Sequence, residues 1–381
     1  MRGCSRAWCL GRAQLLRFSS TVSNAKPEPP RPKVIFSGIQ PTGVPHLGNY
    51  LGALQQWRRM QDAAEPDTKL LFCVVDLHAI TVAHPPGLLT RWKREMLAAL
   101  LAVGLDPARS TIFHQSTVPA HSELQWILSC TASTGYLSRM TQWKSKLSLS
   151  SPEEESSSSH PALKHGLFSY PILQAADILV HRATHVPVGE DQRQHLELTR
   201  DVAQRFNHRY KKTFRLPEPY ILKSTAKITD LQEPTAKMSK SASSPAGIIE
   251  LLDDPKVSAK KIRSAVTDSG SDVRFDVDEK PGISNLLTIY SSLTGRSIVD
   301  LEEEYAGRGY GDFKKDLADV VVEFVTPFRD RTLELLDDQT QLSAVLEQGR
   351  QQAAEVAEAT LRDVWQRVGF VAPAHPGLKG Q

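Results

Sequence analysis

Between residues 33 and 206, apolar runs of strand length alternate with longer runs of helical periodicity, and this alternation restricts the fold more than any other feature of the chain. "KVIFSGI" (33–39), "KLLFCVV" (69–75), "STIFHQ" (110–115) and "THVPVG" (184–189) read as strands. "LGNYLGALQQWRRMQDA", with Leu47, Tyr50, Leu51, Leu54 and Trp57 at helical spacing, reads as a helix. So do "LLTRWKREMLAALLAVGL", "AHSELQWILSC" and "EDQRQHLELTRDVAQRF". Apolar strands separated by helices build a parallel sheet with helices on both faces, so the expected class is α/β. In such sheets ligands sit at the carboxyl ends of the strands.

Past about residue 245 the strand runs give way to helical patterns: "AGIIELLDDPKVSAKKIRSAV", "ISNLLTIYSSLTG" and "LADVVVEFVTPFRDRTLELL". A second, helical domain is expected there, and the long charged run "QLSAVLEQGRQQAAEVAEATLRDVWQRVG" is expected to pack back on the first domain. The 381 residues leave room for both, with a core that needs no staples. No apolar run reaches membrane-span length, so no membrane partner is expected. The four cysteines form no CxxC pair, which argues against a zinc site or a disulfide framework; Cys73 and Cys130 lie in apolar surroundings and read as reduced core residues. "SLSSPEEESSSS" (148–159) is too polar to order itself by burial and reads as a mobile loop.

The first 26 residues have a different make-up. Arg2, Arg6, Arg12 and Arg17 lie among Trp8, Leu10, Leu15, Leu16 and Phe18, with several hydroxyl residues and no Asp or Glu. This is the composition of an amphipathic mitochondrial transit peptide, and it lacks the long apolar stretch of a secretory signal. "PEPPRP" (27–32) then reads as a stiff linker. Removing the five basic residues of this segment from the 46 in the chain leaves 41 against 43 acidic ones. Nucleic acid would therefore have to be bound by local basic patches rather than by overall charge.

Two short strings carry chemistry. His46-Leu47-Gly48-Asn49 joins the first strand to the first helix. Gly38 and Gly43 have Walker spacing, but Val44-Pro45 replace the Lys-Ser/Thr, and there is no GxGxxG. His46 and Asn49 share a face at a helix start, and Gly48 leaves room for a flat ligand, which suits a nucleoside triphosphate; a simple capped turn is the equal alternative. The second string is Lys237-Met238-Ser239-Lys240-Ser241 in a Pro- and Ser-rich segment, where two lysines can close on a pyrophosphate. His78 in "VVDLHAIT" and Asp76 beside it end a strand, where active-site groups gather, but satisfied core residues would look the same; His195 reads as structural.

The two strings together resemble the class I aminoacyl-tRNA synthetases. "IFSGIQPTG", "GNYLGAL", "VDLHAIT", "AADIL", "VPVGEDQ" with "QHLELTRD", "AKMSKS" and "KPGISNLL" resemble the bacterial-type tryptophanyl-tRNA synthetases, from about Lys33 to about Gly369. The resemblance implies a Rossmann-like catalytic domain with a helical anticodon-binding domain, and the transit-like segment implies a mitochondrial member. The expected division is a transit peptide and linker (1–32), catalytic domain (33–222), signature loop (237–241) and helical domain (223–337), returning helix (338–373) and tail (374–381). The departures are Asn49 in place of a second His, Pro45-His46, the insertion at 148–159, and Gln174 where many bacterial members carry an apolar Met, which would make the slot more polar.

The family's roles carry over by matching residues. ATP would meet Gln40, His46, Leu47, Gly48, Asn49, Gln142, Gly189, Glu190, Asp191, Ile228 and the Lys237–Ser241 loop. His46, Asn49, Lys146, Lys237 and Lys240 would serve catalysis. L-Tryptophan would lie among Phe36, Gly38, Tyr170, Gln192, Val188 and Asp177, with Asp177 accepting the indole N–H. Pro171 is suited to a helix start, and Gln174 and Asp177, three apart on that helix, can face one pocket. No dedicated metal ligands are visible, and Mg²⁺ is expected to ride on the ATP phosphates. The implied partners are mitochondrial tRNA(Trp), whose anticodon the helical domain should meet, and a second copy in a homodimer in the mitochondrial matrix. Lys256, Lys260 and Arg263, at i, i+4 and i+7, form a basic stripe suited to phosphates, with a solvated face the equal alternative for any one of them. The alternatives are a tyrosyl-tRNA synthetase, a non-synthetase adenylyltransferase, or a non-catalytic RNA-binding relative.

Overall fold

The computed structural model describes residues 32–140, 164–187, 189, 192–220, 228–239 and 244–371. Residues from Lys33 on form one compact unit; of the separate unit Met1–Pro32, only Pro32 is among the described residues. The expectations for residues 1–31, for Gln142, Lys146 and 148–159, for Val188, Glu190, Asp191, Lys240 and Ser241, and for the tail from 372 lie outside the described residues.

The chain runs β1 (Val34–Ile39), α1 (Leu47–Asn49), a π-helical segment (Tyr50–Leu54) and α2 (Gln55–Asp62). Then follow β2 (Lys69–Val74), α3 (Asp76–Ala79), α4 (Pro86–Ala102), β3 (Thr111–His114), α5 (Ala120–Ser129) and α6 (Thr134–Arg139). Next are α7 (His165–Val180), β4 (His185–Pro187), α8 (Arg193–Tyr210) and β5 (Glu218–Tyr220). The C-terminal part is helical: α9 (Pro255–Arg263), α10 (Pro281–Thr294), α11 (Ile298–Glu304), α12 (Tyr310–Asp337) and α13 (Gln339–Val368).

The sheet is parallel throughout, in the order β3-β2-β1-β4-β5, with Ile35 opposite both Leu70 and His185. The strands are apolar on both faces because both faces are covered. Ile35, Leu70, Phe72, Val74 and Ile112 face one core, with Trp57, Leu97 and Leu100 packed on them. Their sequence neighbours Phe36, Leu71, Cys73, Val75 and Phe113 face the other, under Leu124, Leu128, Ile172 and Val202. This is the period-2 alternation of a strand, and each fully buried Leu or Phe contributes roughly 1.5–3 kcal/mol. The first core continues through Met238, Ile249 and Leu251 into Ile262, Leu287, Phe313 and Val321 of α9, α10 and α12.

β3 is an edge strand, and α13 packs along it. A Cβ built on Gly349 would overlap the Ile112 carbonyl oxygen, and Thr111 Oγ1 donates to Gln352 Oε1 at 2.9 Å. The returning helix thereby covers an edge that would otherwise offer unpaired backbone groups.

Four local expectations change. Pro171 lies inside α7, whose first residue is His165, not at a helix start. The buried residues Leu167, Tyr170 and Ile172 on either side of it pack in the core, which outweighs the lost backbone bond. The fifth strand, β5, is exposed, three residues long and contains Pro219, so no apolar run announces it; proline is tolerated there because β5 is the other edge. The first helix is interrupted by the π segment directly after Asn49. Cys130 is exposed rather than buried, because α5 ends just past its last buried pair, Ile127 and Leu128; Cys73 is buried.

Candidate active site

The strand order reverses between β1 and β4, which opens a crevice at their carboxyl ends. A cavity of about 410 Å³ occupies it. Phe36, Ser37, Gly38 and Gln40 come from β1 and its loop, Ala53 from the π segment, and Val75 and His78 from the end of β2 and α3. Tyr170, Gln174 and Ile178 come from α7, Val186, Pro187 and Gln192 from β4 and the turn before α8, and Lys237 closes the rim. Of the expected residues, the structure therefore brings Phe36, Gly38, Gln40, Tyr170, Gln192 and Lys237 to one cavity. Ser37, Ala53, Ile178 and Pro187 join them; each lies in one of the strings that carry the resemblance, but none is singled out there as a ligand.

The His46–Asn49 string closes on itself. Asn49 N–H donates to His46 Nδ1 at 3.2 Å, and His46 N–H donates to Asn49 Oδ1 at 3.1 Å, a reciprocal cap at the helix start. Leu47 is fully buried in the core. A Cβ on Gly48 would stand 3.1 Å from the His46 ring and 3.6 Å from Met238 Cβ, so the two signature strings meet at this glycine.

The segment after the second string reinforces the meeting. Leu47 N–H donates to the Ile249 carbonyl at 2.8 Å, and Leu251 N–H to the Pro45 carbonyl at 3.0 Å. Lys237 pairs with Thr229 in an antiparallel bridge, and Met238 N–H donates to the Ile228 carbonyl at 3.2 Å. Asn285, from "KPGISNLL", holds Thr229 from both sides: its Oδ1 accepts from Thr229 N–H and its Nδ2 donates to the Thr229 carbonyl, each at 2.9 Å. Ile228 and Met238 are buried in the core, while Lys237 is exposed; Gly189 is exposed after β4.

A hydrogen-bonded row lines the α7 side of the cavity. Tyr170 Oη lies 3.1 Å from His195 Nε2, His195 Nδ1 lies 2.8 Å from Gln192 Oε1, and Gln174 Nε2 donates to the same oxygen at 3.3 Å. The amide oxygen accepts, so His195 Nδ1 carries the hydrogen and Nε2 receives the tyrosine hydroxyl. Gln174 thus turns its polarity toward Gln192, and His195 ties the two expected ligands together.

Asp177 does not line the cavity; it is 1 % exposed, behind His78. Its Oδ2 lies 2.8 Å from His78 Nε2, and its Oδ1 lies 2.7 Å from His121 Nδ1 and accepts from Gln115 Nε2 at 2.6 Å. Burial opposes the charge, but the bonds from His121 and His78 outweigh it and hold the carboxyl well below the usual carboxylate range. Three of its roughly four acceptor positions are taken, and the remaining one is on Oδ2. Gln115 and His121 escaped the sequence reading. Gln115 had one available signal, its place at the end of a strand; His121, a single histidine in a helix, had none.

Asp76 is 3 % exposed and accepts from Ser116 N–H at 2.8 Å and from Lys93 Nζ at 2.5 Å; it braces the turn after β3 rather than the cavity. His78 does reach the cavity. Among the described residues no group of three or more His, Cys, Asp or Glu side chains could hold a metal ion, and no helix is long and apolar enough to cross a membrane.

The family model for tRNA synthetases class I (W and Y) matches residues 28–326. The chain is 55 % identical over 346 residues to tryptophan–tRNA ligase 2 of Streptomyces avermitilis, covering 91 % of this chain and 99 % of that protein. It is 52 % identical to the tryptophan–tRNA ligase of Mycobacterium leprae, covering 88 % and 96 %. Among solved structures it is similar to the tryptophanyl-tRNA synthetase of Mycoplasma pneumoniae (TM-score 0.78, 35 % identity, 89 % of this chain and 98 % of that one). It is also similar to the Campylobacter jejuni tryptophanyl-tRNA synthetase complexed with ADP and tryptophan (TM-score 0.73, 32 % identity, 89 % and 100 %).

Proposed function

The chain belongs to the class I tRNA synthetases that serve tryptophan and tyrosine, and we propose that it is the member that charges mitochondrial tRNA(Trp) in the matrix, as a homodimer. It is an aminoacyl-tRNA synthetase that joins tryptophan to tRNA. The observation that carries the site assignment is one cavity at the reversal of strand order, with Lys237 at its rim and Tyr170, Gln192 and Phe36 in its wall.

In the first step the tryptophan carboxylate attacks the α-phosphorus of ATP and pyrophosphate leaves. A carboxylate is already a nucleophile, so no general base is needed, and the barrier falls through positioning and charge stabilisation. Lys237 meets the charge of the leaving group, together with Lys240 and Lys146; Mg²⁺ arrives on the ATP phosphates. Gln40 and Asn49 face the nucleotide. Tyr170 Oη accepts from the ammonium, and Gln192 Oε1 does so in place of its long 3.3 Å bond from Gln174; the open acceptor position on Asp177 Oδ2, reached past His78 at the cavity wall, takes the indole N–H. Phenylalanine has no such donor and would leave a buried acceptor unpaired. In the second step the 2′-hydroxyl of the terminal adenosine attacks the carbonyl of the adenylate, and AMP leaves.

Further features support the finer assignments. Lys256, Lys260 and Arg263 are exposed on α9, beside the face that buries Ser258, Ala259 and Ile262, and form a stripe suited to tRNA phosphates. Ile80 (60 % exposed), Val82 (48 %) and Trp126 (68 %) offer apolar surface for a second copy. The acid-free, arginine-bearing segment 1–26 supports import.

The test is amino-acid-dependent ATP–pyrophosphate exchange on protein starting at Lys33. Exchange with Trp, and not with Tyr or Phe, is expected. Exchange with Tyr would move the chain to the sister specificity, and none at all would leave an RNA-binding relative. Import of a reporter carrying residues 1–32 into isolated mitochondria tests the location.

A further inference from the structure

We propose that His121 is a positioning residue for tryptophan selection: it donates to Asp177 Oδ1 and is held in the one tautomer that can do so by His181 behind it. This rests on the reading of Asp177 as the acceptor for the indole N–H.

The argument follows the hydrogens. An ionised carboxylate has no hydrogen to give, so His121 Nδ1, 2.7 Å from Asp177 Oδ1, must bear one. His121 Nε2 lies 3.1 Å from His181 Nε2. Two imidazole nitrogens at that distance share one hydrogen. With the His121 hydrogen at Nδ1, its Nε2 is bare and His181 Nε2 is the donor. His181 Nδ1 is then a bare lone pair, and it is the ring atom that the structure leaves buried without a partner. An under-used acceptor is a cheaper end for such a chain than an orphaned N–H. All three side chains are essentially excluded from solvent: His121 is 0 % exposed, and His181 and Asp177 1 % each.

The chain is also held in place. His181 stacks on Phe36, which lines the cavity, with ring centroids 5.6 Å apart, and meets Phe113 edge-on at 5.4 Å. Gln115, the other donor to Oδ1, accepts from the Leu77 N–H at 3.1 Å and is thereby pinned to α3. Oδ1 is therefore saturated. Turning the carboxylate about its Cβ–Cγ bond would break the bonds to His121, Gln115 and His78 together. The acceptor left on Oδ2 points in one direction before any ligand arrives, which is the preorganisation a selective N–H contact needs.

The experiment is the pair His121→Asn and His121→Gln. The Asn amide can occupy the place of Nδ1 and keep the donor to Asp177. The Gln amide reaches instead to the place of Nε2, keeping His181 and losing Asp177. In ATP–pyrophosphate exchange, His121→Gln is expected to raise KM for tryptophan about tenfold, with kcat and KM for ATP within about twofold of wild type. His121→Asn is expected to stay within about threefold throughout. Equal effects of the two variants, or a KM for ATP that rises as much as that for tryptophan, would overturn the proposal in favour of a packing role. Nitrogen-15 spectra of the wild-type histidines give a reading independent of variant folding: neutral His121 protonated at Nδ1 and His181 protonated at Nε2 are expected. The opposite tautomer, or an imidazolium at His121, would overturn the proposal. If the wild-type protein exchanges with no amino acid, the reading of the slot fails by itself, and the spectra still decide the hydrogen-bond chain.

Discussion

His46 and Asn49 cap each other: the Asn49 N–H bonds His46 Nδ1, and the His46 N–H bonds Asn49 Oδ1. The string that resembles a phosphate-binding signature is at the same time a capped helix start. The two roles separate in a variant. His46→Asp keeps a good cap, since Asp serves as well as any residue at that position, but adds a negative charge beside the nucleotide. The folding free energy is expected to fall by about 1–2 kcal/mol, because His46 is buried and a carboxylate loses solvation there, while KM for ATP rises at least tenfold. An unchanged KM for ATP would mean that the string is a turn and nothing more.

Gly349 sets how closely α13 approaches β3. A methyl group there would overlap the Ile112 carbonyl, which is backbone and cannot swing aside. Gly349→Ala is expected to lose about 3 kcal/mol of stability by denaturant titration. A loss under about 1 kcal/mol would show that the helix can slide off the sheet edge without penalty.

His195 should matter to tryptophan binding without touching tryptophan. It links Tyr170 at 3.1 Å to Gln192 at 2.8 Å. His195→Leu removes both bonds, and KM for tryptophan is expected to rise about tenfold, or roughly 1.4 kcal/mol. A variant that binds tryptophan normally in calorimetry would show that Tyr170 and Gln192 are oriented by packing alone.

Acid should weaken the fold through His114. Burial, and then the charge of Lys93, push its pKa down to about 4. The unfolded chain takes up a proton near pH 6.5 that the folded chain refuses until about pH 4, so stability falls as pH falls through that window. His181, buried beside His121, is also held well below its ordinary value and adds to the same limb. Between pH 7 and 4.5 the His114 share is on the order of 2–3 kcal/mol. His114→Gln should remove that share, read as the difference between urea midpoints at the two pH values; identical pH slopes for variant and wild type would contradict it.

Sequence by itself determined the parts that depend on local period and on short strings. The alternation in "KLLFCVV" already assigns Leu70, Phe72 and Val74 to one face of the sheet and Leu71, Cys73 and Val75 to the other. The two signature strings and the family match followed from residues close together in the chain. Tertiary structure alone decided who meets whom. Asp177 takes its donors from His78, Gln115 and His121, which are 99, 62 and 56 residues away. Nothing in "AHSELQWILSC" marks His121 as their neighbour. Pro171 stayed inside a helix because its buried neighbours outweighed one lost hydrogen bond, and β5 formed without an apolar run because the sheet had an edge to offer. Local pattern sets which face a side chain turns inward; the crossings of the chain set what it finds there.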